Sequence, residues 1–420
     1  MNKKYIVIGI IIIGCIGALL SYPQKTTLTM GLFAGSNWDV PSADSYKVID
    51  HAIERFEKRY PLVEIEYSSG ILKEDYSSWL SNLIVSGNEP DIYMVLEEDF
   101  NTLSSLGALK NLDKYIQQDK DFDSSKYYES ALKAGIYQDS QFALPYECNP
   151  QLMFVNKTLL KKERIKIPDN QWTLDDFYKI CKQVTKDSNG DGVIDQYGCY
   201  NYDWLDSIYS HGATLFNEDG TKGYLSQDSV KNSLLFIQKL ETLNQGHVIS
   251  STEFDNGQVV FSPMTFANYR TYKPYPWRVK KYSTFEWDCV KMPSLLPNEN
   301  SSEISSLLIS ISSRTTHTKE SWEFLKMLTY NQESQSELFQ YSQGISSLKS
   351  VSYQSSQENE IDLSLLNEVM ETTIHHNRFK KYESALSLMN TRMKEILHNE
   401  EDLDIALMEL QREINLYLNE

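Results

Sequence analysis

The sequence predicts an α/β fold in which mostly parallel sheets are flanked by helices. Short apolar strands alternate with amphipathic helices along the chain, and a long apolar segment separates two such αβ regions. Apolar residues make up 41% of the 420 residues and aromatic residues 12%. That content is enough to build the cores of about two to three domains.

In the first αβ region, polar residues follow the predicted strands. Its predicted elements are strands at residues 27–33, 63–67 and 91–96 and helices at residues 45–56 and 76–84. A loop at residues 34–39 follows the first strand, and Glu97, Glu98 and Asp99 follow the third. Ligands of such sheets lie beyond the carboxyl ends of the strands, so we expect a binding site near both segments.

Residues 142–157 are predicted to cross from the first region to the second. Two extended apolar runs flank a corner at residues 145–150 that contains two prolines, each of which favours an extended residue before it. Tyr146, Glu147 and Asn149 stand as polar or amphipathic groups inside this apolar segment. We interpret the segment as a crossing strand that lines a cleft. The alternative is a loop whose tyrosine covers a core.

The second αβ region again alternates helices and strands. Its predicted helices lie at residues 172–185, 203–212 and 230–243, its strands at residues 259–264 and 305–312, and a helical segment follows residue 363. Thr173 and Asp176 form a capping pattern at the first of these helices.

The first 25 residues are predicted to be a signal or lipoprotein anchor segment. Two lysines precede an uncharged run at residues 5–20, which is slightly short for a membrane span of about 20 residues. Gly14 and Cys15 resemble a bacterial lipoprotein signal, which implies lipidation of Cys15. The apolar residues after Cys15 depart from that signal, and an uncleaved anchor, with Cys15 merely apolar, is the alternative. Both interpretations place the rest of the chain outside the cell and tethered to a membrane.

Residues 187–195 predict a structural Ca²⁺ site. The expected ligands, at positions one, three, five, seven and nine of a calcium loop, are Asp187, Asn189, Asp191, the Val193 carbonyl and Asp195. Gly192 stands at the sixth position, where the loop turns. Gly198 occupies the twelfth position, which normally holds a bidentate glutamate, so the predicted affinity is modest. A simple turn without a cation is the alternative.

Charge and motif content exclude several classes of function. The net charge of −18 argues against nucleic acid as a partner, because that binding needs clustered basic residues. The sequence contains no HExxH or GxSxG motif, and the adjacent acids at residues 97–99 cannot flank one glycosidic bond. No enzyme activity is therefore expected. The cysteines beyond Cys15 lack metal or redox spacing and are predicted to be small buried residues: Cys148, Cys181, Cys199 and Cys289.

Individually weak motifs lie in order at residues 56–61, 87–92, 106–112, 144–146, 155–157, 195–198 and 321–325 and at Gly344. By their order and spacing, the chain from residue 28 to about residue 348 resembles an extracellular solute-binding protein of an ABC importer. The resemblance is to the carbohydrate-binding family that includes maltose-binding protein. It implies a two-lobe periplasmic-binding-protein-like fold (type II) with a hinged cleft. It also implies a monomer that binds a carbohydrate and delivers it to permease subunits.

The resemblance also implies lobe boundaries and ligand positions. The N-terminal lobe is predicted at residues 26–144 and 293–344, and the C-terminal lobe at residues 145–292 and 345–420. Family ligand positions fall on the loop at residues 35–39 and on Glu98, Asp99, Asn149 and Tyr269. Val95 replaces a frequent tryptophan and residues 343–347 lack the usual proline, so the ligand need not resemble maltose. A surface receptor or adhesin without transport is the alternative function.

Aromatic residues beside polar groups complete the predicted sugar site. Sugar faces are apolar and their edges carry hydroxyls, so flat rings and planar polar groups suit them. The expected ligand-binding residues of this kind are Trp38 with Asp39, Tyr146, Trp204, Arg270 and Trp277. We expect at least two of these three tryptophans to face the cleft. Trp172 and Trp322 are interpreted as packing residues.

Overall fold

A computed structural model describes residues 25–40, 44–272, 285–299, 301–351, 363–399 and 402–420. The predicted anchor segment with Cys15 lies outside these ranges, as does Trp277. Within them, no helix combines the length and the apolar character that a membrane span requires.

The elements follow the predicted alternation of strands and helices. The strands are β1 (Thr26–Gly31), β2 (Val63–Ser68), β3 (Ile92–Val95), β4 (Ile136–Tyr137), β5 (Ser140–Gln141), β6 (Ala143–Asn156), β7 (Tyr197–Cys199), β8 (Val259–Thr265), β9 (Trp287–Val290), β10 (Ile304–Ile311) and β11 (Ile345–Ser346). The helices are α1 (Ser45–Arg59), α2 (Lys73–Ser86), α3 (Glu97–Ser105), α4 (Asp113–Gln118), α5 (Glu129–Lys133), α6 (Lys157–Lys162), α7 (Leu174–Val184), α8 (Trp204–Ser210), α9 (Asp228–Glu241), α10 (Ser251–Asp255), α11 (Phe266–Tyr272), α12 (Thr318–Thr329), α13 (Gln332–Tyr341), α14 (Leu363–Glu371), α15 (Tyr382–His398) and α16 (Leu403–Asn419).

Strand β6 belongs to the sheets of both lobes. Residues 143–150 pair with β10, and residues 151–156 pair with β8 and β9. In the first lobe the strand order is β2-β1-β3-β10-β6, and in the second it is β6-β8-β7. The predicted crossing at residues 142–157 is therefore confirmed as a single strand of 14 residues.

The predicted corner in this crossing is wrong in detail. Leu307 pairs with Glu147 and Leu308 pairs with Pro145, so Tyr146 is an extra residue in β6. This is a β-bulge, which bends a strand and redirects side chains without ending it. Pro145 lacks an N–H, and a bulge is one of the few places where a paired strand accepts a proline.

The sheets are mixed rather than mostly parallel. Pairing is parallel among β1, β2 and β3 and between β7 and β8. It is antiparallel wherever β6 meets β10, β8 or β9. The reason is topological: a chain that crosses between lobes and returns beside itself must run in opposite directions. The alternation of apolar residues in the sequence indicates that a strand exists but does not indicate its direction.

Four hydrophobic clusters form the cores of the described part of the chain. One contains β1–β3, α1 and α12 and forms the first-lobe core. Another joins α8 and α9 to α15 and α16 in the second lobe, and the remaining two pack against the second-lobe half of β6. Leu348 and Val351 pack in the first-lobe core, beyond the boundary predicted at residue 344. The lobe boundaries themselves stay a prediction.

Asn156 is expected to be a main stability determinant at the end of β6. It is fully buried, its Oδ1 accepts the Leu159 N–H (2.9 Å), and its Nδ2 donates to the Gly257 and Val259 carbonyls (3.1 and 3.2 Å). Asn156→Ala leaves these three groups unpaired, so we expect the free energy of unfolding to fall by about 2–4 kcal/mol in urea denaturation. Asn331→Ala removes the side-chain cap of α13, so it should lower the free energy of unfolding by only about 1 kcal/mol. Equal losses in the two variants would contradict this account.

Candidate functional site

The segment after β1, Met94 of β3 and the middle of β6 lie around one small cavity. The segment after β1 and the bulge residues Tyr146 and Glu147 enclose a cavity of about 20 Å³, which is close to the size of one water. Ser342, from the end of α13, completes its wall. The first-lobe side of the cleft is therefore nearly filled by its own side chains.

Glu147 is the central group of this first-lobe half. Its side chain is buried, and its Oε1 accepts hydrogen bonds from the Ser342 hydroxyl and the Gly344 N–H (2.6 Å). Burial raises the pKa of Glu147, while the Ser342 hydroxyl, the Trp38 indole, the Gly344 amide and the Arg270 charge act in the opposite direction. Two predicted ligand-binding residues, Trp38 and Arg270, thus lie around a carboxylate that was not itself predicted as a ligand.

The second-lobe half of the cleft is a pocket of about 230 Å³ lined with carboxylates. Its lining residues are Gln151, Asn201, Asp203, Leu205, Asp206, Tyr209, Met292, Ser301 and Glu303. Asp203 caps α8 by accepting the Leu205 and Asp206 N–H groups (2.8 and 3.0 Å), and Asp206 accepts the Asp203 N–H in return (3.2 Å). Burial raises the pKa of both carboxyls, and the Asp203 charge raises that of Asp206 further.

Another acidic residue, Glu97, lies between the two halves. Only 8% of its side chain is exposed, its Oε1 accepts the Ser306 N–H (2.6 Å), and its Oε2 lies 3.2 Å from Nε of Arg378. Burial raises its pKa to about 8, against the opposing influence of Arg378. The predicted residues Glu98 and Asp99 lie beside it in the first turn of α3 and are half-buried, and burial raises their pKa values too.

Several predicted ligand-binding residues lie elsewhere. Trp204 is buried in the second-lobe helical core, where its Nε1 donates to Oδ1 of Asn390 (3.0 Å). Tyr269 stacks on Phe154 with ring centroids 4.7 Å apart. Trp204 therefore packs against α15 rather than facing the cleft. The expectation that at least two of Trp38, Trp204 and Trp277 face the cleft stays a prediction, since Trp277 lies outside the described residues.

Three other predicted residues serve local contacts in this structure. Asn149 accepts the Ala267 N–H (2.9 Å). Asp39 is 86% exposed and pairs with Lys73 (2.9 Å). Arg270 donates to the Ser342 and Phe339 carbonyls (2.5 Å each) and so closes the end of α13. Of the predicted set, Tyr146 lines the small first-lobe cavity, and Trp38, which is buried in the first-lobe core, lies beside Glu147.

The residues that sequence reasoning missed are Glu97, Glu303, Tyr209 and Arg378. Glu97 belongs to a run of three acids, and the sequence offers no rule for which of them turns inward. Arg378 lies in a polar stretch between two helices, 281 positions after Glu97 in the chain. Two adjacent histidines before it, His375 and His376, were the one local signal that could have marked this stretch.

The predicted calcium loop is compact and held by its own backbone. Asp187 accepts the Gly190 and Gly192 N–H groups (2.6 and 2.7 Å), and Asp191 accepts that of Val193 (2.8 Å). The N–H groups that Asp187 accepts, that of Gly192 first, lower the pKa of Asp187. Across the described ranges, no three His, Cys, Asp or Glu side chains are already gathered as metal ligands. Of the four cysteines in the described ranges, Cys148, Cys181 and Cys289 are buried, as predicted, and Cys199 is partly exposed.

A larger pocket of about 580 Å³ lies away from the cleft, between the ends of α1, α4 and α12. Its charged groups pair with one another: Lys326 lies 3.2 Å from Glu323 and also contacts Asp119, which accepts the Trp322 Nε1–H (2.8 Å). None of the residues that line this pocket lies at the carboxyl end of a strand. We therefore place the candidate site at the crossing.

Comparisons with known proteins identify the family and the fold. A family model described as bacterial extracellular solute-binding protein matches residues 51–361. The sugar-binding protein MalE of Xanthomonas citri has a TM-score of 0.77 at 15% identity, over 94% of this chain and 98% of that chain. An extracellular solute-binding protein (family 1) of Alicyclobacillus acidocaldarius has a TM-score of 0.73 at 19% identity, over 94% and 99%.

An ABC substrate-binding protein of Listeria monocytogenes, solved in complex with cycloalternan, has a TM-score of 0.67 at 19% identity, over 94% of this chain and 100% of that chain. At such identities the likeness shows a shared fold. Together with the family match, it confirms the predicted two-lobe α/β architecture.

Glu97 should make stability depend on pH. Its pKa is about 8 in the folded chain and near the ordinary 4.5 when unfolded, so between these values the folded state binds more protons. Stability therefore falls as pH rises from about 4.5 to 8. Glu97→Gln cannot titrate, so its melting temperature should fall less over this window at constant ionic strength. Nearby His375, whose pKa burial lowers to about 3, stays neutral throughout. Parallel curves for variant and parent would contradict the assignment.

Proposed function

The chain belongs to the bacterial extracellular solute-binding proteins, and we propose that it captures a sugar or oligosaccharide outside the cell and delivers it to the permease of an ABC transporter. The observation that carries this proposal is the pocket of about 230 Å³ at the crossing. It lies where β6 and β10 pass between the lobes, which is where closing lobes would hold a ligand.

The chemistry of the cleft suits a neutral polyhydroxylated ligand. Carboxylates accept hydrogen bonds from sugar hydroxyls, and Asp203, Asp206 and Glu303 supply them. Gln151 adds an amide, and Tyr209 adds an aromatic ring. Arg378 and Arg270 are already engaged with protein oxygens, so an acidic sugar would find few cations. Structural relatives solved with cycloalternan, mannotriose and maltotetraose support a carbohydrate.

The family also bears on location and on catalysis. Its members are extracellular binding proteins, so the chain functions outside the cytoplasm. We propose that it acts as a monomer without turning over its ligand. Tethering through lipid at Cys15, or through an uncleaved N-terminal segment, belongs to the same proposal.

Trp38 provides the first test, since it is the predicted tryptophan that lies beside Glu147. A panel of neutral oligosaccharides, including maltotetraose, mannotriose and cycloalternan, is screened for an increase in melting temperature. With a stabilising sugar, Trp38→Phe keeps an apolar ring but removes the indole N–H, so we expect binding to weaken by about 1 kcal/mol or more in calorimetric titration.

Trp322→Phe, remote from the cleft, is the matched control and should bind normally. Normal binding by a folded Trp38→Phe would remove Trp38 from the site. A panel without any stabilising sugar would count against the proposed ligand class.

We further propose that residues 187–195 hold a structural Ca²⁺. The donors would be the carboxylates of Asp187, Asp191 and Asp195, the Asn189 side-chain oxygen and the Val193 carbonyl. Each acidic oxygen that accepts a loop N–H keeps lone pairs for a cation. Gly198 lies in β7 against Cys181, so no ligand comes from the twelfth position. The bound cation would offset the repulsion among three close carboxylates.

Calcium should therefore raise the melting temperature. With a dissociation constant of about 0.1–1 mM, several millimolar calcium stabilises the fold by about 1–2 kcal/mol. Asp191→Ala should lose this increment and behave like the parent protein in chelator. Asp219→Ala, in another exposed turn, should keep it. Identical melting of the parent protein in chelator and in calcium would leave only a turn.

A further inference from the structure

Arg378 lies in the segment between α14 and α15. This segment runs beside the hinge, which is the place where β6 and β10 pass between the lobes. The Ile374 N–H donates to the Ser302 carbonyl (2.8 Å), and the Ile374 carbonyl accepts the Ile304 N–H (2.9 Å), so the segment is bonded to the start of β10. Phe379, the next residue after Arg378, is buried in the second-lobe core, with its ring centroid 5.1 Å from that of Phe216. The backbone of Arg378 is therefore fixed to the second lobe.

The Arg378 guanidinium reaches carboxylates of both lobes. Its Nε lies 3.2 Å from Glu97 of α3 in the first lobe, and its Nη1 lies 3.0 Å from Glu383 of α15 in the second. Its Nη2 lies 3.3 Å from Glu303 at the crossing and donates to the Ser305 hydroxyl (3.1 Å). A planar guanidinium can serve several acceptors at once, which a lysine ammonium does less well.

A second contact from α3 holds the backbone of the same residue. Asn101, one helical turn after Glu97, donates from Nδ2 to the Arg378 carbonyl (3.2 Å) and also lies 3.2 Å from the Glu218 carbonyl. Residues four apart lie on one face of a helix, so Glu97 and Asn101 present a single surface to the second lobe. One face of α3 thus binds both the side chain and the main chain of Arg378.

From these contacts we infer that Glu97, Asn101 and Arg378 form a clamp that holds the two lobes closed. Opening the cleft requires α3 to leave Arg378, which separates buried Glu97 from its Arg378 partner and breaks the Asn101 bonds. When the lobes open, the contacts of Arg378 with Glu303, before β10, and with Glu383, in α15, are kept. The clamp therefore acts between the lobes, whereas the Glu383 contact acts within one lobe.

The clamp deepens the proposed function, since closure is what retains a bound sugar, but its test needs no ligand. Spin labels are placed on Val85→Cys in the first lobe and Val248→Cys in the second, which are 88% and 86% exposed. Pulsed electron resonance then measures the distribution of distances between the labels in the ligand-free chain. Reaction at the four described native cysteines is checked with the unsubstituted chain.

We expect the ligand-free parent chain to populate both a short, closed distance and a longer, open one. Asn101→Ala, which removes two hydrogen bonds and no charge, should raise the population at the longer distance severalfold. Glu97→Gln with Asn101→Ala should raise it further, and Arg378→Lys should give an intermediate value. Glu383→Gln is the matched control, because it removes a partner of Arg378 without touching the lobe contact, and it should match the parent.

Circular dichroism and melting confirm that each variant is folded, and Asn101→Ala alone suffices if the double variant is not. Distances unchanged in the folded clamp variants would overturn the inference. An equal shift in Glu383→Gln would also overturn it, because the network would then serve general stability. A chain that binds no sugar can still give either result, so failure of the clamp and failure of the proposed function are distinguishable.

Discussion

The structure depends on one strand that two sheets share. Strand β6 satisfies backbone groups of β10 through its first half and of β8 and β9 through its second half. Buried backbone groups must stay paired, so the lobes cannot separate at β6; they can only bend about it. The bulge at Tyr146 lies in this strand, beside the site. The same feature that joins the lobes therefore also places Tyr146 and Glu147 at the cleft.

Buried carboxylates next to this strand need partners, and they obtain them across the cleft. The charge of Arg270, in the helix after β8, acts on Glu147. Glu97 contacts Arg378, which lies just before α15. A buried carboxylate without a partner is costly, so these pairs favour the closed arrangement. The chemistry that would bind a sugar and the contacts that set the lobe positions are thus adjacent.

Local patterns in the sequence were sufficient for the elements and for the crossing. The period of apolar residues predicted α1, β2 and α7, and the Thr173 capping box is present at α7. Strand direction was not predictable, because parallel and antiparallel strands share the same alternation. The inward orientation of Trp204 was not predictable either, because an indole beside two aspartates at a helix start suits a cleft and a core equally well.

Long-range pairs were beyond the reach of sequence patterns. Arg378 meets Glu97 only because the hinge segment bonds to β10 and Phe379 packs beside Phe216. No spacing rule links residues so far apart, and a single sequence does not show which acid of three an arginine selects. The cleft could therefore be placed approximately from the sequence, whereas its carboxylates and their cations could not.

The most direct test of the central claim is small-angle scattering of the full chain with and without a neutral oligosaccharide that raises its melting temperature. Mass spectrometry of the recovered sugar accompanies the measurement. The account predicts a smaller radius of gyration with the sugar, because the lobes close more completely around it, and recovery of the sugar intact. A radius that does not decrease, or a sugar that is cleaved, would contradict a protein that binds by closure without catalysis.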